Sequence, residues 1–113
     1  MPDFMFLVQS DESEPVTAAE MQTRLANYRE WMMRMMAEGS VKAGQPLEPR
    51  GVLVRRDKSV VTDGAFLEPK EIIAGYVIVT ATSLEDAIAL AQGCPLLGHC
   101  ELIVRPLVEV PAG

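Results

Sequence analysis

The chain opens on an unbroken apolar run, Phe4-Met5-Phe6-Leu7-Val8. A run of that length predicts a strand buried on both faces, because a strand with one wet face would alternate. A polar break from Ser10 to Pro15 follows. Thr17-Ala18-Ala19-Glu20 then fits a capping box, the threonine accepting from a free backbone amide and the glutamate reaching back. Behind it Met21, Leu25, Tyr28, Met32 and Met35 recur at steps of four, three, four and three. That stripe predicts one long amphipathic helix, ended near Glu38-Gly39 by a left-handed glycine cap. About twenty residues at ~1.5 Å each span about 30 Å, enough to cross a small sheet. Full burial of the stripe would contribute roughly 1.5–3 kcal/mol per residue. Trp31 falls off the stripe, at a helix edge or an interface with a second copy. The methionines near the helix end, Met32, Met33, Met35 and Met36, suit filling of irregular core gaps, or an adaptable binding surface.

From Val41 to Gly51 the chain holds Gly44, Pro46 and Pro49 and reads as an irregular or edge segment. Val52 to Arg56 and Ser59 to Thr62 flank Asp57-Lys58 as a hairpin. A turn-like stretch from Asp63 to Glu71 leads into Ile72–Ala81, the strongest strand, rich in β-branched residues around Gly75-Tyr76. Ser83 is placed to cap a second helix, Leu84–Ala91, whose early acids suit the helix dipole. Gly93 and Pro95 stop it. Glu101 to Val110 supplies the last strand, with Pro106 marking an exposed edge or the end of regular pairing.

Two split β-α-β units in this order predict an α+β, ferredoxin-like βαββαβ sheet with an extra hairpin and both helices on one face. The remaining apolar face then needs a cover. A second copy is the simplest one, since homo-oligomers are mostly two-fold dimers, and a dimeric α+β barrel is expected through the open sheet face. A hairpin folded back over that face is the alternative.

Composition narrows the function classes. With 113 residues, 49% apolar and 23% charged, the chain fits one globular domain over residues 1–113 that forms a core without staples. Cys94 and Cys100 lack the spacing of a redox or zinc motif. His99 and Cys100, adjacent on a strand, would point to opposite faces, so no metal site is expected. No basic flank precedes a long apolar run, so a secretory signal is not expected; neither is a membrane helix, and a cytoplasmic location is the default. The net charge of −6 argues against nucleic acid, as phosphate binding needs a basic face. Nucleotide-cradling, nucleophile-elbow and zinc-protease motifs are absent, and no cofactor is expected.

The stretch Thr62-Asp63-Gly64-Ala65-Phe66-Leu67-Glu68-Pro69-Lys70-Glu71-Ile72-Ile73-Ala74-Gly75-Tyr76 resembles the signature of the DGPF branch of YCII-related proteins. The branch pattern is DGPF, a short spacer, KE, then a glycine–aromatic pair opening a strand. Ser83 to Ala91, Gly93-Cys94-Pro95 and Glu101 to Pro106 resemble its second helix and last strand, so the likeness covers nearly the whole chain. Ala65 departs from the motif proline and leaves the turn freer. The resemblance implies a ferredoxin-like dimeric α+β barrel of a bacterial family. Some members of it place a histidine and an aspartate together in a cleft, and DGPF members are often associated with extracytoplasmic-function sigma factors.

The candidate chemistry rests on few residues. Asp63 and His99, the sole histidine, form a candidate acid–base pair, a carboxylate-held imidazole being able to serve as general base near neutral pH. Lys70 is the candidate anchor for an anionic ligand, with Gly64, Phe66 and Glu71 lining or orienting it. Each has a structural alternative: Asp63 as a turn residue, His99 as a loop residue, Phe66 as a core anchor and Glu71 as a surface charge. Two functions are expected to compete. One is a small cofactor-free enzyme doing acid–base chemistry on a small polar or anionic metabolite; the other is a non-catalytic binding or regulatory module.

Overall fold

Phe4, Phe6 and Val8 are buried while Met5 and Leu7 between them are half-buried, so the first strand alternates after all. This is a property of a computed structural model that describes residues 1–11, 15–48, 50–62 and 72–111. The strand, β1 (Asp3–Ser10), is followed by α1 (Ala18–Ala37), β2 (Val41–Pro46), β3 (Val52–Val54), β4 (Val60–Thr62), β5 (Ile72–Thr80), α2 (Leu84–Gln92), a 3-10 turn (Pro95–Gly98) and β6 (Cys100–Pro106). The main sheet runs β2-β5-β1-β6 and is antiparallel throughout, the strand order of a ferredoxin-like α+β fold. The segment read as irregular or edge is an edge strand, and β3 and β4 pair apart as a two-stranded hairpin.

Register explains the core. Phe4 lies opposite Val79 and Pro106, Phe6 opposite Val77 and Val104, and Val8 opposite Gly75 and Leu102, so their side chains share one face. Onto that face pack Trp31 and Met32 from α1 and Ala87 and Ala91 from α2. Phe6, Val77 and Val79 are fully enclosed. Trp31, expected at a helix edge or a dimer interface, is 3% exposed and belongs to this core. The opposite face carries Met5 and Leu7 of β1, Tyr76 and Ile78 of β5 and Ile103 of β6.

The caps form where the sequence places them. Glu20 N donates to Thr17 Oγ1 at 3.1 Å, and Asp86 N donates to Ser83 Oγ at 3.2 Å. At the other end of α1, Gly39 takes φ +80° while Gly39 N and Ser40 N donate to the Met36 and Met35 carbonyls, a Schellman motif. The last strand is shorter than expected: regular pairing stops at Pro106, which has no amide to give.

Only part of the α1 stripe reaches the core. Met32 is buried and Tyr28 and Met35 pack against it, but Met21 and Leu25 remain 44% and 46% exposed. The helix outruns its sheet at the N-terminal end. The condition of full burial is not met there, and the apolar wall left over belongs to a cleft.

Candidate functional site

The cleft lies between the first half of α1 and the end of the sheet where β1 finishes and β6 begins. Its volume is about 520 Å³, within the ~300–1,000 Å³ range of small-molecule sites. Val8, Ser10, Gly75 and Cys100 line its sheet side. Met21, Arg24, Leu25 and Tyr28 form the helix wall, and their spacing puts them on one face of α1. The 3-10 turn brings Leu96, Gly98 and His99, and the end of β2 adds Gln45 and Pro46.

Two local features open this space. The β1–β5 register slips between Val8 and Gln9, leaving Ala74 as an extra residue on β5. The Ala74 carbonyl, freed from the ladder, accepts from Leu47 N at 2.7 Å and ties the chain beyond β2 to the cleft rim. Gly44 is the second feature. A methyl group there would meet Met32 Cε at 2.7 Å, Tyr76 O at 3.0 Å and the Tyr28 hydroxyl at 3.2 Å. Glycine therefore lets α1 settle on β2 with Tyr28 at the helix–sheet seam, its hydroxyl beside Gly44 and part of its surface in the cleft.

The polar groups differ in character. Burial pushes the Tyr28 hydroxyl above the ordinary phenol value, and the neighbouring Cys94 and Tyr76 add to the shift. It is a neutral hydrogen-bond donor throughout the physiological range. Arg24 contributes the cation of the helix wall; its Nε is buried and makes no hydrogen bond among the described residues. His99 ends the 3-10 turn, its backbone N–H donating to the Leu96 carbonyl at 3.0 Å, and this exposed residue is part of the cleft lining. Ser10, Asp11 and Cys100 add hydroxyl, carboxylate and thiol groups to the lining. Among the described residues no group of three or more His, Cys, Asp or Glu is arranged to hold a metal ion.

Of the residues singled out in the sequence, His99 lies on the cleft. Asp63, Gly64, Phe66, Lys70 and Glu71 lie outside the described residues. Arg24 was missed, as was the place of Tyr28 at the cleft. The signal for Arg24 was available. It stands three residues after Met21 and four before Tyr28, a charge inside the apolar stripe, where a solvated cation has no business.

No curated relative matches the chain by sequence. Among solved structures, 5-chloro-2-hydroxyhydroquinone dehydrochlorinase (TftG) from Burkholderia phenoliruptrix AC1100, in complex with 2,5-dihydroxybenzoquinone, is similar at a TM-score of 0.53. The two share 16% identity over 96% of this chain and 95% of that one, which establishes a common fold. No helix among the described residues is long and apolar enough to cross a membrane. The YCII-related domain matches residues 3–110, nearly the whole α+β unit described above, and the chain belongs to the YCII-related family.

Proposed function

We propose that this chain is a small cofactor-free enzyme doing acid–base chemistry on a small polar or anionic metabolite bound in the cleft. The cleft itself carries the reading: an apolar wall and floor with a few convergent polar groups, the usual composition of a small-molecule site. His99 is the proton carrier of this proposal, its ring free to meet a ligand from the 3-10 turn. Asp63 is its orienting carboxylate, and Lys70, with Gly64, Phe66 and Glu71, is the contribution of the segment before β5. The similar fold of a dehydrochlorinase crystallised with a dihydroxybenzoquinone lends support to ring-sized polar ligands, without carrying that reaction over.

We also propose that the working unit is a homodimer built through the open sheet face.

The test combines binding and titration. Thermal melts with 2,5-dihydroxybenzoquinone and a panel of related polar metabolites identify a ligand by a raised melting temperature. The His99 ring is then followed by NMR through a pH titration in the wild type and in Asp63→Asn, the sole histidine needing no assignment. A midpoint that moves with the mutation, together with ligand turnover lost in Asp63→Asn and His99→Asn, is the expected result. Identical midpoints and retained turnover remove the pair from the mechanism. A ligand that stabilises the protein and is never consumed assigns the cleft to a binding module instead.

A further inference from the structure

Most cations of this chain have no lack of acids around them: 16 acidic residues face 10 basic ones. Lys42 pairs with Asp3 at 2.8 Å and Arg50 with Glu48 at 3.0 Å, both at the surface. Arg24 is different. It is half-buried, its Nε is enclosed, and no hydrogen bond or ion pair to it occurs among the described residues. A guanidinium N–H shut away from water without an acceptor is costly, and native structures rarely keep one without a reason. Arg24 also faces a cleft with room for a ligand.

We infer that Arg24 is the anion anchor of the cleft and that the ligand carries a planar two-oxygen anion of the carboxylate type on a flat apolar body. The inference rests on reading the cleft as a ligand site. A guanidinium offers parallel N–H donors at the spacing of a carboxylate's oxygens, which a single ammonium cannot match. Tyr28, one helical turn further on the same face, lines the same cleft with a side chain that remains protonated and adds no competing charge. Met21 and Leu25, 44% and 46% exposed on that wall, offer apolar surface to the ligand's body. Pairing of the terminal guanidinium nitrogens with the ligand therefore balances the Arg24 charge and covers two exposed side chains together.

The probes are benzoate, its uncharged near-isostere benzamide, and inorganic phosphate, titrated into the full-length protein and followed by amide NMR. Benzoate is expected to move cleft resonances around residues 21–28 and 96–100, with benzamide and phosphate at least about tenfold weaker, the loss of one charge-assisted pair. Arg24→Met should erase the preference for benzoate over benzamide, and Arg24→Lys should recover it only in part. A second readout needs no ligand: Arg24→Met should raise the melting temperature of the free protein by a few degrees, since an unpaired buried donor is replaced by apolar surface. A lowered melting temperature in both Arg24→Met and Arg24→Gln would make Arg24 structural and overturn the inference. Equal binding of benzoate and benzamide, unchanged by Arg24→Met, would also overturn it while leaving the cleft a ligand site. A protein whose cleft resonances move with none of these probes, nor with the metabolite panel, would remove both readings.

Discussion

Tyr28 and Cys94 are acids that folding makes weaker. Burial raises both above their ordinary values of 10.0 and 9.0. An acid whose pKa is higher in the folded than in the unfolded state favours folding fully below the unfolded value, and that contribution is lost as pH rises through the folded one. Stability should therefore hold near neutrality and decline from about pH 9 upward, first through Cys94 and then through Tyr28. Tyr28→Phe should flatten the part of the decline above about pH 10, measured as urea midpoints across the range. A wild type and variant with parallel alkaline declines would show that the phenol is not the group responsible. Arg24 belongs to the same scale and shows why the site was only partly legible. Counting apolar positions finds the stripe but passes over a charge embedded in it. His99 stood out as the sole histidine, yet its position at the cleft comes from the 3-10 turn that Pro95 begins, a tertiary fact no spacing shows.

At the scale of elements, capping and periodicity are local signals, and both helices were legible from them to within a residue or two. Thr17, Ser83 and Gly39 each act through backbone groups only a few residues away. The second strand was harder to read, because Gly44 and Pro46 lower strand propensity and its pairing with β5 is long-range. Gly44 has a steric reason that the sequence could not display: α1 must come close to β2. Gly44→Ala forces a methyl against a flexible methionine end, a tyrosine hydroxyl and a backbone carbonyl. Met32 can swing away, but the Tyr76 carbonyl cannot. Overpacking of this kind costs about 1–3 kcal/mol, and a fall of that size in the urea unfolding free energy is expected. Displacement of Tyr28 should also weaken any cleft ligand. An alanine variant as stable as the wild type would mean that the helix sits more loosely on β2 than these distances imply. The apolar first strand shows the same limit of a single chain. A continuous apolar run says that both faces avoid water, but within one chain only the helix-side residues of β1 find full cover.

The whole molecule exposes more surface than a chain of its size should. Compact monomers of 12.4 kDa expose roughly 6,100 Å² by size scaling, whereas this chain exposes 8058 Å². Its radius of gyration, 15.6 Å, likewise exceeds the ~13 Å of a compact domain of this length. Large apolar side chains are part of that exposed surface. On the open sheet face, register sets Leu7 between Tyr76 and Ile103, and Met5 between Ile78 and Arg105, giving a hydrophobic centre with a charge at its rim. The hairpin leaves Val52, Val54 and Val60 57%, 62% and 56% exposed, and beyond β6 Val108 and Val110 are 87% and 83% exposed. A standard interface takes about 800 Å² from each partner, less than the excess, so a face-to-face dimer is the expected cover. Sedimentation equilibrium at micromolar concentration should return twice the chain mass. Ile78→Asp puts a charge at the centre of the open sheet face, where two paired copies would bring two carboxylates together without partners. That variant should sediment as a monomer with its helical circular dichroism intact, because Ile78 faces away from the helix-side core. Arg105→Ala, at the rim, should weaken the dimer slightly or not at all. A wild type that stays monomeric at hundreds of micromolar would rule out the shared face, and the apolar side of this sheet would then have to be covered by a partner of another kind.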